Sequence, residues 1–223
     1  EKSGSNMTFI AIMSAIVSAV DKHGDLMRTA IASPGNDFRL GACEAPPAIV
    51  STYLGDDMTN YLMEFAKTKT AKPYVPATST VDLGIPSISP FTTPAEDRNR
   101  TSPFPYGGHR FEFRAVGSSQ NVSLVNTVLC TAFADEFGAM ADKIEKGAKP
   151  EDVAAELLTG HKKVIFNGNN YDEANQEMLT KAGVWRIDSG VEAICRYTDP
   201  KNTALFESIS GFYTPRRRHS ALG

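Results

Sequence analysis

Residues 110–146 read RFEFRAVGSSQNVSLVNTVLCTAFADEFGAMADKIEK and contain the clearest strand pattern in the chain, followed by its clearest helix pattern. Apolar and charged residues alternate over 110–116, which predicts a strand with one apolar face and one charged face. An apolar residue then recurs at every third or fourth position, which predicts a helix over 121–146 with Ser119 or Asn121 as its cap. A strand leading directly into an amphipathic helix favours an α+β fold.

The distribution of proline divides the rest of the chain. Ten of the 13 prolines lie between Pro34 and Pro105, after a proline-free start and before a second half that is mostly helical in pattern. Residues 5–23 are apolar nearly all round, as in a buried helix, and 68–105 form a long Pro-, Thr- and Ser-rich connection typical of a functional loop or lid. Shorter elements are predicted as a strand over 48–54 and helices over 58–67, 150–158, 172–182, 191–197 and 201–208.

Two regions follow from this pattern. Residues 1–147 hold the mixed strand and helix segment, and residues 148–223 form a helical extension. The extension ends in the basic run Arg216–His219, which we interpret as a solvated tail. We find no internal repeat.

Composition excludes several classes of protein. The 223 residues are 41% hydrophobic and 22% charged, with a net charge of −3, so there is no overall basic field to hold nucleic acid. The longest apolar run, residues 7–20, is too short and too interrupted to span a membrane. Three dispersed cysteines predict a reducing compartment, the cytoplasm or alternatively an organelle matrix. The first residue is Glu1, which suggests a processed or partial chain.

The charged face of the predicted strand contains candidate site residues. It places Glu112 between Arg110 and Arg114, with neighbours roughly 6.5–7 Å apart. The simpler interpretation is a solvated face with ordinary ion pairs. The alternative is a carboxylate kept ionised by the arginines and suited to a divalent cation, beside guanidinium groups that bind an anionic substrate. Arg100, in the Gly/Pro-rich segment just before, adds a group suited to polyphosphate and favours the second interpretation.

A second charged segment surrounds a glycine and two prolines. Arg39 and Glu44 lie on residues 39–47, which could form either a plain surface loop or a flap over a charged substrate. The four histidines share no metal-ligand spacing, so no histidine-based zinc site is predicted. Cys43 has no histidine placed in sequence to activate it and is interpreted as inert.

Several motifs, in this order, resemble type III glutamine synthetase. The resemblance covers nearly all of the chain up to about Ser208 and implies the C-terminal half of that catalytic domain, α+β, with antiparallel strands, flanking helices and a helical extension. The implied activity is ATP-dependent ligation of ammonia to glutamate through γ-glutamyl phosphate, with Mg²⁺ or Mn²⁺. The matching segments are 36–49, 97–104, 111–120, Asn126 to Leu129 and Asn167 to Tyr171.

The resemblance also implies a role for individual residues. Phosphoryl transfer needs metal and guanidinium charge around the moving oxygens, and attack by ammonia needs water to be excluded, which agrees with these roles. Arg39 resembles a glutamate-binding arginine, Glu44 the flap glutamate that helps deprotonate ammonium, Arg100 the arginine at the transferring phosphoryl group, Arg110 a basic residue near the nucleotide, Glu112 a metal ligand, and Arg114 a clamp on the glutamate carboxylate.

The sequence also departs from the family pattern. Phe38 stands where the family has His, and Cys43 stands where it has Asn. The first half of the family's active site, with its other metal ligands, has no counterpart, and one glutamate cannot hold the metals such a site uses. We therefore expect the isolated chain to be inactive and to work with further protein chains. The alternatives are a degenerate, non-catalytic structural subunit of a larger assembly and, more remotely, an unrelated anion-binding module.

Overall fold

A computed structural model describes residues 7–42, 45–75, 79–93 and 100–209. The α+β prediction is confirmed: helices dominate, and the strands form two small two-stranded sheets. The helices are α1 (Met7–Ala30), α2 (Pro34–Asp37), α3 (Asp56–Thr68), α4 (Val122–Glu145), α5 (Pro150–His161), α6 (Glu173–Lys181) and α7 (Gly190–Cys195), with 3₁₀ turns at Lys162–Val164 and Arg196–Thr198, and α8 over 200–209. The strands are β1 (Thr52–Tyr53), β2 (Ser79–Val81), β3 (Phe91–Thr93) and β4 (Phe104–Pro105).

Helix α1 runs through the centre of the molecule, as its apolar sequence predicts. Its residues from Ile16 onward are buried almost without interruption, and α4 and α5 pack along it. The helix breaks locally at His23, whose φ of −118° and ψ of 17° are not helical. The charged residues near this break find partners on other elements, including Glu136 for Lys22 and Arg196 for Asp25. The buried carboxylates of Glu136 and Asp25 need these partners because an unpaired buried charge is costly.

Helix α4 confirms the helix predicted from the opening stretch. The side chain of Asn121 accepts a hydrogen bond from the backbone N–H of Ser123 at 2.8 Å and caps the first turn. The chain turns away just after the helix at Gly147, whose φ of +99° favours glycine. The buried face of α4 includes Val125, Val128 and Ala132.

The prediction of a strand over 110–116 is wrong, although apolar and charged side chains still alternate between the two sides of this segment. The backbone N–H groups of Glu112 and Arg114 donate to the carbonyls of Pro105 and Pro103 at 3.1 and 2.9 Å. Those prolines have no N–H to return the second bond of each pair, so only half of a ladder can form. In the described chain this leaves one isolated bridge, between Phe111 and Tyr106.

The sheets also differ from the antiparallel arrangement expected. Strand β2 pairs with β3 in antiparallel fashion across the long connection, but β1 pairs with β4 in parallel, with Thr52 opposite Phe104. The strand predicted over 48–54 is reduced to β1. Its earlier part is held instead by single contacts to the C-terminal region, such as the bond from the N–H of Val50 to the carbonyl of Trp185.

Both predicted regions contribute to one hydrophobic core. Apolar side chains of α1, α3 and β4 pack in the same cluster as Ala154 and Leu158 of α5 and Leu179 of α6. Trp185 closes this cluster on one side, and its indole N–H donates to the carbonyl of Asp21 at 3.1 Å. Within the described residues, none of the helices combines the length and apolar character needed to cross a bilayer.

Candidate functional site

One carboxylate and two arginines form the centre of the candidate site. Nε of Arg110 donates to one oxygen of Glu112 at 2.7 Å, and Nε of Arg114 donates to the other at 3.1 Å. These hydrogen bonds, with the positive charge of the arginines, hold the pKa of Glu112 below its ordinary value. Glu112 is about one third exposed, so the group faces solvent and is open to a ligand.

Aromatic packing fixes the backbone that carries these three side chains. Phe111 stacks on Phe104 with ring centroids 4.9 Å apart, and Phe113 meets the same ring edge-on at 6.0 Å. Phe104 in turn lies 6.4 Å from Phe133 of α4. The apolar residues therefore anchor the segment inward, which leaves the intervening charged residues together on the outer side. This part of the sequence interpretation agrees with the structure.

Arg39 reaches the same segment through a buried asparagine. Its Nη1 donates to Oδ1 of Asn36 at 2.6 Å and to the carbonyl of Val116 at 3.4 Å. The amide nitrogen of Asn36 donates to the carbonyl of Ala115 at 2.9 Å, and Asn36 is fully buried. Arg39 is thus held beside the backbone that directly follows Arg114.

Arg100 lies on a loop that a second asparagine holds in place. It is exposed and adopts a left-handed backbone conformation, with φ of +56°. The next residue, Thr101, accepts bonds at its carbonyl from Nδ2 and the backbone N–H of Asn170, at 2.7 and 3.1 Å. Oδ1 of Asn170 accepts from the hydroxyl of Ser51 at 2.9 Å. Asn170 therefore ties the Arg100 loop to the chain leading into β1.

A third asparagine completes this scaffold. Oδ1 of Asn167 accepts from the backbone N–H groups of Leu54 and Gly55, both at 3.1 Å, and its Nδ2 donates to Asp56 and Thr59 at the start of α3. Sequence reasoning assigned no contacts to this asparagine. The available signals were its place in a short polar motif and the resemblance of residues 167–171 to the family pattern.

Three further points of the sequence prediction concern Glu44, Phe38 and the metal ligands. Glu44, with Cys43, lies outside the described residues. Phe38, which stands where a histidine was expected, is 74% exposed. Among the residues that the structure describes, no group of three or more possible metal ligands includes Glu112. The site offers a metal ion one carboxylate there and does not by itself complete a coordination sphere.

Comparison with known proteins identifies relatives that match 90–97% of the chain. Residues 151–216 match the family model of the glutamine synthetase C-terminal domain. The chain is 37% identical over 217 residues to "Type-3 glutamine synthetase" of Dictyostelium discoideum, covering 94% of this chain and 29% of that protein. It is 36% identical over 209 residues to "Glutamine synthetase" of Bacteroides fragilis, covering 90% and 29%, and 33% identical over 225 residues to that of Butyrivibrio fibrisolvens, covering 97% and 31%. The chain thus spans about 30% of the length of the curated relatives it matches.

Proposed function

Because this chain is homologous to glutamine synthetases along nearly its whole length, we propose that it supplies the C-terminal part of the active site of an ATP-dependent glutamate–ammonia ligase. The observation that carries the proposal is the agreement between this homology and the cluster of Arg110, Glu112 and Arg114, with Arg39 held beside it. Three guanidinium groups around one short segment suit substrates whose reacting groups are carboxylate and phosphate.

Each arginine has a distinct role in this proposal. Arg39 and Arg114 bind the carboxylates of glutamate, and their attachment to one segment fixes the spacing between the two groups. Arg110 lies near the nucleotide, and Arg100 steadies the phosphoryl group as it moves. Fixed guanidinium groups stabilise the charge that develops on the phosphoryl oxygens because they need no reorganisation during the step.

The proposed reaction has two steps. The γ-carboxylate oxygen of glutamate attacks the γ-phosphorus of ATP, and ADP leaves, which gives γ-glutamyl phosphate. Ammonia then attacks the acyl carbon, inorganic phosphate leaves with the bonding electrons of the C–O bond, and the nitrogen loses one proton to that phosphate. Glu44 takes a proton from ammonium so that the nitrogen lone pair is free to attack, and the flap that carries Glu44 keeps water from the acyl phosphate.

We propose Glu112 as a ligand of a divalent metal ion. Mg²⁺ or Mn²⁺ would neutralise phosphate charge, and the ionised carboxylate of Glu112 is suited to be one ligand. The other ligands must come from polypeptide beyond the described residues, since Glu112 stands there without companion ligands. Because the resemblance gives this chain no counterpart of the family's other metal ligands, we propose that the 223 residues are inactive alone and act within an assembly of further protein chains. The three dispersed cysteines, which form no disulfide pattern in the sequence, favour a reducing location, the cytoplasm or an organelle matrix.

Two substitutions test the assigned roles in the complete assembly. Glu112→Gln should weaken the dependence of activity on metal concentration. Glu44→Ala should leave ATP binding nearly intact and reduce the rate of glutamine formation by about 10²–10⁴-fold, the usual contribution of a general base. Equal loss of nucleotide binding in both variants would contradict these roles. Normal ATP binding without any glutamine formation by the unsubstituted assembly would favour the non-catalytic structural subunit.

A further inference from the structure

A histidine and two carboxylates meet where α1 lies against α4, and none of the three is a proposed substrate residue. Nε2 of His23 is 3.0 Å from Oδ2 of Asp135 and 3.9 Å from Oε1 of Glu136, and the three ligand atoms lie within 4.8 Å of one another. The side chains of His23 and Glu136 are 3% and 1% exposed, whereas that of Asp135 is 40% exposed. We propose that His23, Asp135 and Glu136 bind one divalent transition-metal ion, with Zn²⁺ as the representative ion.

The spacing of the three ligand atoms suits a tetrahedral ion. Zn–N and Zn–O bonds of about 2.0–2.2 Å place neighbouring ligand atoms roughly 3.3–3.5 Å apart in a tetrahedron. The observed separations of 3.0 and 3.9 Å from Nε2 of His23 lie on either side of that value, and all three ligand atoms lie within 4.8 Å of one another, so side-chain rotation would bring them into range. One imidazole with two carboxylates suits Zn²⁺ or a similar transition metal better than Mg²⁺, which prefers oxygen ligands. The exposed side of Asp135 leaves room for water as a fourth ligand.

The surroundings orient two of the ligands before any ion binds. The local break in α1 at His23 sets the direction of the imidazole. Nε2 of His23 faces Oδ2 of Asp135 at 3.0 Å, and since a carboxylate only accepts, Nε2 carries the proton that a bound metal ion would displace. The hydroxyl of Ser18 donates to Oε2 of Glu136, which holds the carboxylate in place as outer partners do in metal sites.

The ammonium group of Lys22 already pairs with one of the proposed ligands, the carboxylate of Glu136. Nζ of Lys22 lies 2.8 and 3.0 Å from the two carboxylate oxygens of Glu136. The side chain of Lys22 is 40% exposed, so its ammonium group can turn outward into water. A metal ion and the Lys22 ammonium group therefore compete for the same carboxylate, and removal of Lys22 should strengthen metal binding.

Calorimetric titration of the purified, chelator-treated 223-residue chain with ZnCl₂ tests the proposal. The unsubstituted chain should bind one equivalent, and His23→Ala and Asp135→Asn should each weaken binding at least tenfold. Lys22→Met should bind at least threefold more tightly. His161→Ala is the matched control, because His161 also contacts a carboxylate, Asp21, at 2.7 Å but belongs to no group of three ligands among the described residues. Its affinity should be unchanged.

Spectroscopy separates this site from binding elsewhere on the chain. Co²⁺ in place of Zn²⁺ should give visible absorption of a four-coordinate N/O site in the unsubstituted chain and not in Asp135→Asn, whose partly exposed side chain can be changed without disturbing the core. Circular dichroism should show that both proteins are folded. Absence of Zn²⁺ binding in both the unsubstituted chain and Lys22→Met would overturn the proposal. Unchanged binding in His23→Ala would overturn it as well.

Discussion

Replacing Asn170 with alanine should destabilise the fold strongly, because this fully buried side chain joins two segments near the candidate site. The change removes a 2.7 Å hydrogen bond to the carbonyl of Thr101 and the acceptor for the hydroxyl of Ser51, which is also fully buried. Each lost bond costs about 0.5–1 kcal/mol, and the unsatisfied Ser51 hydroxyl adds about 1–2 kcal/mol. The Thr101 carbonyl keeps the backbone N–H of Asn170, so the expected total is about 2–4 kcal/mol.

Urea unfolding followed by circular dichroism measures this loss. With a urea dependence of about 2 kcal/mol per molar, the midpoint should fall by about 1–2 M. Asn175→Ala is the matched control, since its side chain makes one exposed bond to the carbonyl of Asn169 and lies in α6, where alanine is favoured. Its midpoint should move little. A loss below about 1 kcal/mol for Asn170→Ala, or equal losses in the two variants, would refute the role of Asn170 as the tie between β1 and the Arg100 loop.

Two further predictions concern packing and charge. Gly24→Ala should lower the free energy of unfolding by about 1–3 kcal/mol, because the added Cβ would lie 2.9 Å from Cδ1 of Trp185. Gly138→Ala in α4, where the added Cβ meets open space, should raise the free energy of unfolding by about 0.5–1 kcal/mol. Thermal unfolding distinguishes the two variants, and equal effects would contradict the packing argument. Because folding lowers the pKa of Glu112, this carboxylate stabilises the folded state at pH values above its pKa in the unfolded chain. That stabilisation is lost as the pH falls through the lower pKa that Glu112 has in the folded chain. Arg110→Met should therefore raise the Glu112 pKa toward its ordinary value in ¹³C NMR titration, and an unchanged pKa would contradict the assigned cause.

Local signals predicted the helices well. Helix α4 follows from a capping asparagine and a regular apolar spacing, and both act within a few residues of one another. The alternation over 110–116 correctly separated inward aromatic side chains from outward charged ones. It could not predict whether a ladder would form, because that depends on the partner backbone, and here the partner contains Pro103 and Pro105.

Contacts between distant segments could not be predicted from the sequence. Arg39 is oriented by Asn36 and Val116, and only the folded chain brings Val116 near. His23 is likewise more than 100 residues from Asp135, so no spacing rule for metal ligands applies to the pair. Such contacts depend on how α1 packs against α4, which hydrophobic periodicity does not specify. The function of the charged candidate site residues was left open by their sequence pattern, and the resemblance to a known family supplied its interpretation.

The central proposal is that this chain works within a glutamate–ammonia ligase. The most direct measurement is glutamine formation by the assembly purified from its native source through an affinity tag on this chain, with ATP, Mg²⁺, glutamate and ¹⁵N-ammonium, together with an intact-mass inventory of its components. We predict ¹⁵N in the amide of glutamine, strongly reduced kcat/KM for glutamate in Arg39→Met, and no change in Arg186→Met, whose guanidinium pairs only with Asp188 among the contacts described for it. Absence of labelled glutamine from the intact assembly, or full activity in Arg39→Met, would contradict the proposal.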